Sequence, residues 1–144
     1  SKAPVAKAEK KQNIEIISKQ IANLLDLVRN PHKNEHNIAL PLLNGYRYIN
    51  PYEIIRLEAE NNYTQFYLFG GEKILISKGL YVYEEILETY GFIRCHKSHL
   101  VNRKFIRSLL KGAVVYEVEL PDGFRVPVSS RKIGLIAEAL QNKT

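Results

Sequence analysis

This sequence is poor in cysteine and has no long apolar run. It has a single cysteine, Cys95, so no disulfide can form within the chain, in agreement with a reducing compartment. No apolar run approaches the roughly 18 residues that a membrane-spanning helix needs. The first residues, SKAPVAKAEKK, contain no apolar core of a signal peptide. We therefore expect a cytoplasmic protein that makes no membrane contact.

Catalytic fingerprints are also missing. There is no nucleophile elbow, P-loop, HExxH helix or dinucleotide-binding motif. Cys95, His96 and His99 are residue types that bind metals, but adjacent strand residues point to opposite faces and no second cysteine is present. We predict no enzyme, no metal and no other cofactor. Cys95 is predicted to be a core residue, with a redox-sensitive thiol as the alternative.

Positive charge is unevenly distributed along the 144 residues, whose formal net charge is +6. Residues 53–91 hold seven acids and three bases, for a net charge of −4, whereas residues 92–132 hold nine bases and three acids, for a net charge of +6. A folded domain with this separation has a positive side that attracts phosphates, with an affinity that falls as salt rises. A solvated basic surface without a partner is the alternative interpretation.

The first 37 residues predict a connecting segment. Residues 1–12, rich in lysine and alanine, predict a flexible linker. A helix is predicted from Asn13 to about Arg29, followed by a stop at Asn30-Pro31 and a polar loop to residue 37. Its apolar stripe recurs at spacings of three and four and consists of Ile14, Ile17, Ile21, Leu24 and Val28. The stripe can pack against its own domain or pair with a second chain.

Residues 38–141 predict a mainly β domain of the α+β class. About eight to ten short strands are separated by turn signals, which are Asn44-Gly45, Asn61-Asn62, Gly70-Gly71 and Asp122-Gly123. An internal helix, about Leu80 to Tyr90, directs Leu80, Val82, Tyr83, Ile86 and Leu87 toward a core and ends at Gly91. A final helix is predicted from about Arg131 to Leu140, with Ser129 or Ser130 as its cap.

Residues 92–102, FIRCHKSHLVN, alternate apolar side chains with cations and hydrogen-bond donors, so one side can anchor in a core while the other holds a polyanion. We predict a short strand and then a tight helical turn.

The same segment resembles the LytTR DNA-binding domain of bacterial response regulators. The shared motif is an aromatic residue followed by Arg-x-His-Lys-Ser and then Leu-Val-Asn. The resemblance covers roughly Ile38 to Leu140. It includes the strand Ile54 to Glu60 with its Asn-Asn-Tyr turn, the acidic helix, and the closing Val-Pro-Val-Ser-Ser-Arg-Lys.

The resemblance implies an elongated β-β-β fold whose loops read successive major grooves of double-stranded DNA. The implied base-reading residues are Asn62, Tyr63, Lys97 and Arg131. The implied phosphate contacts are His96, Ser98, Arg103, Lys104, Ser129, Ser130 and Lys132. Arg94 and Asn102 are expected to hold the loops in place.

The resemblance also implies partners. LytTR domains commonly follow a receiver domain, so we expect a receiver domain before this segment, a sensor histidine kinase acting on it, and a homodimer on DNA with repeated half-sites. The predicted function is sequence-specific DNA binding as the output domain of a bacterial two-component transcriptional regulator. The alternative is a ligand- or protein-interaction β domain whose basic face is merely electrostatic.

Overall fold

A computed structural model describes residues 2–29 and 37–141 of the chain. Within these ranges the α-helices are α1 (Lys2–Arg29), α2 (Leu80–Leu87) and α3 (Ile133–Gln141). The strands are β1 (Ile38–Leu42), β2 (Gly45–Ile49), β3 (Ile54–Glu60), β4 (Tyr63–Leu68), β5 (Lys73–Ile76), β6 (Phe92–His96), β7 (His99–Asn102), β8 (Ser108–Lys111), β9 (Tyr116–Glu119) and β10 (Arg125–Val128). The predicted β-rich fold of short strands is confirmed. None of the helices in the described ranges is long and apolar enough to cross a membrane.

Three antiparallel sheets organise the strands. β1 and β2 form a separate hairpin, β10-β9-β8 form a three-stranded sheet, and β5-β4-β3-β7-β6 form a five-stranded sheet. In the largest sheet β3 pairs with β4 on one side and with β7 on the other. Because Glu58 near the end of β3 faces His99 at the start of β7, the β3–β4 turn and the β6–β7 turn lie at the same end of this sheet.

The five-stranded sheet contributes to two apolar clusters. One contains α2 and includes Phe66 and Tyr83, whose rings meet edge to face at 4.8 Å. The other contains residues of the three-stranded sheet and α3. Leu100 and Val101, consecutive residues of β7, belong to different clusters because successive strand side chains point to opposite faces. The sheet is therefore buried on both sides.

The N-terminal helix is longer than the sequence predicts. α1 begins at Lys2 instead of Asn13, so residues 2–12 are helical where a flexible linker is expected. Alanine and lysine are strong helix formers, and Pro4 falls in the first turn, where its missing N–H removes no helical hydrogen bond. α1 ends at Arg29 as expected. The predicted stop at Asn30-Pro31 and most of the following loop lie outside the described residues, and the division into domains remains a prediction.

Two local predictions differ from the structure. In the first hairpin Leu42 pairs with Gly45, so the turn consists of Leu43 and Asn44, and Gly45 begins the next strand. In α2, Ile86 is 42% exposed, although it is predicted to face the core. The buried stripe of α2 consists of Leu80, Tyr83 and Leu87. Ile86 lies about 90° around the helix axis from the centre of this stripe.

The segment 92–102 forms the hairpin of β6 and β7, with Lys97 and Ser98 at its turn, instead of a strand followed by a helical turn. A 3₁₀ turn comes later, at Arg103–Phe105. Asn102, only 1% exposed, precedes it: its side-chain amide donates to the carbonyl of Ile54 at 3.1 Å, and its Oδ1 accepts from the backbone N–H of Lys104 at 3.1 Å. Asn102 thereby links β7 to β3 and caps the turn.

Replacing Asn102 by alanine is expected to lower the free energy of unfolding by about 1–3 kcal/mol, because the Ile54 carbonyl loses a donor and the Lys104 amide loses an acceptor. Urea denaturation followed by circular dichroism measures the loss. Asn37→Ala makes the same chemical change at an exposed position and should stay within about 0.5 kcal/mol of the parent. Equal losses in both variants would contradict the role given to Asn102.

Candidate nucleic-acid interface

Three loops from distant parts of the sequence lie at one edge of the molecule. Ser98 in the β6–β7 turn accepts a backbone hydrogen bond from Ala59 of β3 at 2.9 Å. On the other side of the same hairpin, Cys95 accepts one from Ser129 at 2.8 Å. These bonds join the central loop to its two neighbours. We call residues 61–63, 96–98 and 129–132 together the three-loop face.

The first loop is the two-residue turn between β3 and β4, closed by the pairing of Glu60 with Tyr63. Asn61 has a φ of 57°, in the left-handed region that asparagine tolerates better than most residues. Behind the turn, the buried Thr64 hydroxyl donates to the carbonyl of Lys78 at 2.7 Å. The backbone is thus held from inside while the side chains of Asn62 and Tyr63 remain exposed.

The central loop is held by Arg94. Its Nε donates to the carbonyl of His96 at 3.0 Å, and a second guanidinium nitrogen donates to the carbonyl of Lys97. A third contact is an ion pair with Glu84 of α2, whose Oε1 lies 2.7 Å from Nη1. These are the contacts that a loop-holding residue would make. The exposed side chain of Lys97 therefore starts from a fixed backbone.

The third loop follows β10 as a 3₁₀ turn, Ser130–Lys132, that leads into α3. Ser129 stands at its N-terminus, but its side chain makes no capping hydrogen bond, so the predicted cap is wrong there. The turn is closed by the backbone instead, because the N–H of Lys132 donates to the carbonyl of Ser129 at 2.8 Å. Ser130 and Arg131 are exposed, and Lys132 is half-buried.

Beside the central loop, His99 lies in a largely buried polar cluster with Glu58, His96 and Arg56. Nδ1 of His99 lies 3.7 Å from Glu58 Oε1, which is too long for a hydrogen bond, and this nitrogen has no hydrogen-bond partner among the described residues. Burial lowers the pKa of His99 to about 4; Glu58 opposes this shift, and His96 and Arg56 act in the same direction as burial. His99 is therefore neutral at pH 7.

Sequence reasoning missed the supporting roles of Arg56 and Glu84. Arg56 is 5% exposed, donates to Glu58 at 2.8 Å, and lies between the rings of Tyr67 and Phe124, at 3.6 and 3.9 Å from their centroids. It therefore connects the five-stranded sheet to the β9–β10 hairpin. The sequence does not indicate either role, because charged residues on strands and helices are usually solvated and nothing local marks the few that form buried contacts.

The structure does not bring all the predicted DNA contacts together. Arg103 and Lys104 lie at the far end of the β6–β7 hairpin, roughly 15 Å from its turn at about 3.3 Å per strand residue. The Lys104 ammonium stands 4.1 Å from the centroid of the Tyr52 ring. Asn102 lies at that end too, so it does not contact the loop tip. The residues that share the three-loop face are Asn62, Tyr63, His96, Lys97, Ser98, Ser129, Ser130, Arg131 and Lys132.

Cys95 is 1% exposed in the second apolar cluster. Burial raises the pKa of its thiol to about 12, so almost none of it is thiolate at neutral pH. This environment is that of a core residue. Within the described part of the chain, no three His, Cys, Asp or Glu side chains are grouped closely enough to bind a metal ion.

Known proteins resemble this chain in sequence and fold. The family model of the LytTr DNA-binding domain matches residues 44–141. The sensory transduction protein LytT of Bacillus subtilis (strain 168) is 25% identical over 119 residues, which are 82% of this chain and 49% of LytT. The chain thus spans about half the length of this curated relative. A solved structure, the LytTr DNA-binding domain of a putative methyl-accepting/DNA response regulator from Bacillus cereus, has a similar fold: its TM-score is 0.61 at 24% identity, over 72% of this chain and 95% of that one.

The low pKa of His99 predicts a pH dependence of stability. The unfolded chain takes up this proton near pH 6.5 and the folded chain only near pH 4, so stability is full above pH 6.5 and falls as the pH drops toward 4. We expect the advantage of the parent protein over His99→Gln in free energy of unfolding to shrink by up to about 3 kcal/mol across this window. Taking the difference cancels the titration of the carboxylates, which both proteins share.

Urea denaturation at pH 7.5, 6.5, 5.5 and 4.5 measures this difference. A difference that stays constant over the series would mean that His99 takes up its proton equally in the folded and unfolded states.

Proposed function

The chain belongs to the LytTR family of DNA-binding domains, and from this we propose that it binds double-stranded DNA sequence-specifically through the three-loop face. The observation that carries the proposal is the convergence of residues 61–63, 96–98 and 129–132 on one edge through backbone hydrogen bonds. Three short projections on a buried sheet can follow the surface of a duplex and place side chains in successive major grooves, without a recognition helix.

Each loop offers a side chain suited to a base edge. The amide of Asn62 can donate to and accept from adenine, and the guanidinium of Arg131 can make a bidentate pair with guanine. Lys97 extends from the central tip toward a guanine or a phosphate, and Tyr63 lies beside Asn62 on the first loop. Proposed phosphate contacts on the same face are His96, Ser98, Ser129, Ser130 and Lys132.

Arg94 supports base recognition indirectly, because it holds the central loop and does not contact DNA itself. Its guanidinium is engaged by two loop carbonyls and by Glu84, so its charge is already balanced within the protein. A loop that is ordered before binding loses less conformational entropy when the complex forms. We propose that this arrangement favours a fixed register of Lys97 and Ser98 on the duplex.

Arg103 and Lys104 have a different place in the proposal. Their distance from the three-loop face means that they reach phosphates only where the duplex also runs along the β6–β7 hairpin. A contact of this kind adds affinity that depends on salt but carries no sequence information.

Membership of the LytTR family also suggests the kind of regulator to which this domain belongs. LytT is named a sensory transduction protein, and this chain spans about half of its length. We propose that this chain is likewise the non-catalytic output module of a cytoplasmic bacterial regulator, coupled to a receiver domain and a sensor histidine kinase. Two copies would then occupy repeated half-sites.

A binding selection on randomised duplex DNA at about 0.1 M salt, where exposed charge pairs are already screened, tests the proposal directly. The expected result is one enriched motif, repeated with half-sites about 10–10.5 bp apart. If no motif is enriched and binding disappears as salt rises, the basic face is only electrostatic and the interaction-domain alternative replaces this proposal.

Arg131→Ala is expected to weaken binding to the selected site by about 1–3 kcal/mol and to relax specificity at one base pair, because a bidentate contact with a base is lost. Arg125→Ala is the matched control: Arg125 lies on β10 at the end remote from the third loop, and its Nη1 is 3.5 Å from Glu117. Fluorescence anisotropy on the site and on single-base variants measures both. Equal losses for the two variants would contradict base reading by Arg131.

Arg103→Ala is expected to weaken binding to all sequences alike and to reduce the slope of log affinity against log salt by about one, as for a single phosphate contact. Lys73→Ala removes one exposed charge from the start of β5, at the sheet end away from the β3–β4 turn, and should leave the slope unchanged. A salt titration of both variants is the measurement. An unchanged slope in Arg103→Ala would confine the DNA to the three-loop face.

A further inference from the structure

α1 contacts the β domain mainly through polar side chains, with Ile16 half-buried beside them. The contacts are an ion pair between Glu15 and Arg107 at 3.1 Å, a hydrogen bond from the Asn23 amide to the Tyr52 carbonyl at 3.3 Å, and one from the Lys19 ammonium to the Lys104 carbonyl at 3.5 Å. Glu15, Lys19 and Asn23 follow one another at a spacing of four, so they lie on one side of the helix. This side is occupied by the chain's own domain.

Most of the apolar stripe faces away from that contact, although Ile17 also lines the cleft between α1 and the β domain, beside Ile16. The exposed fractions are 58% for Ile14, 52% for Ile17, 52% for Ile21, 53% for Leu24 and 78% for Val28. A stripe that packed against its own domain would be buried. Of the two arrangements that the sequence leaves open for this stripe, packing within the chain is therefore not the one that the structure adopts.

The stripe has the pattern of a coiled-coil seam. In a heptad register, Ile14, Ile21 and Val28 take the a positions, and Ile17 and Leu24 take the d positions. In parallel coiled coils, β-branched residues at a with leucine at d favour two strands; here every a residue is β-branched, and Leu24 is the leucine at d. The regular alternation of three and four makes the stripe complementary to a copy of itself.

The residues beside the seam do not oppose self-association. The e and g positions are Asn13, Ser18, Gln20, Leu25 and Leu27, none of which is charged. Two identical helices can therefore meet without placing like charges against each other, which would otherwise repel them. The charged residues Glu15 and Lys19 lie on the docked side instead.

We propose that this stripe is a homodimer interface, in which α1 of one copy pairs in parallel with α1 of a second copy about a two-fold axis. The seam and the docked side are different sides of the helix, so each copy keeps its own α1–domain contact within the dimer. Two heptads make a seam only about 21 Å long, and so short a pair is marginal by itself. The dimer therefore forms reversibly with rising concentration.

This interface is independent of DNA, but it has a consequence that rests on the proposed function. Pairing through α1 would link two three-loop faces. On repeated half-sites, occupation of the first would then raise the effective concentration of the second domain at its neighbour.

Sedimentation equilibrium of the 144-residue chain without DNA tests the interface. The average mass should rise from 16.6 kDa toward twice that value as concentration increases to the millimolar range. Ile21→Glu places two carboxylates at the centre of the seam and should keep the chain monomeric. Ala22→Glu makes the same charge change at the next, exposed position outside the seam and should dimerise like the parent. Circular dichroism verifies that both variants are folded.

Crosslinking with a short bismaleimide tests the orientation. Ile14→Cys should give a covalent dimer, because equivalent residues face each other in a parallel pair, and Ala22→Cys should give much less. The native thiol of Cys95 is buried and serves as the background in every sample.

A monomer at every concentration would overturn the proposal, and would leave the stripe to another segment or another protein. Dimerisation that persists in Ile21→Glu would place the contact elsewhere and would overturn it equally. A dimer in which Ile14→Cys crosslinks only to Val28→Cys would replace the parallel arrangement by an antiparallel one. Because no DNA is present, none of these results depends on whether the three-loop face reads a sequence.

Discussion

The antiparallel pairing of β3 with β7 holds the five-stranded sheet together. It joins two hairpins that are distant in sequence into one sheet and places their turns at the same end, where Ala59 donates to Ser98. The buried amide of Asn102 reinforces the pairing at the other end through the Ile54 carbonyl. Without this pairing, the first and central loops would be unrelated projections.

Charge in the basic segment serves two purposes. Arg94, Arg107 and Arg125 each have a carboxylate partner, at 2.7, 3.1 and 3.5 Å, and Arg94 also organises the central loop. Lys97 and Arg131, by contrast, are exposed on the three-loop face. The net charge of the segment therefore overstates how many cations a polyanion could contact, and a charge count alone cannot separate structural arginines from binding ones.

α1 shows how one helix can serve two surfaces. Its polar side meets the β domain through Glu15, Lys19 and Asn23, while its apolar stripe remains exposed. A largely polar contact between helix and domain, with most of the apolar stripe on the outside, differs from the usual arrangement of an amphipathic helix. The proposed pairing of two copies restores burial to the stripe and would link DNA recognition to assembly.

Most strands and helices, and the family resemblance, could be predicted from local patterns, because strand alternation, helical spacing, turn residues and a motif such as FIRCHKSHLVN are properties of neighbouring residues. The helical state of residues 2–12 and the β6–β7 hairpin were not predicted in this way. Contacts between distant parts of the chain account for the pairing of Glu84 with Arg94, for the position of Arg103 and Lys104 away from the loops, and for the docking of α1 mainly through polar side chains. Strand pairing and side-chain partnership join residues far apart in the chain, and no local pattern records which distant segments come into contact.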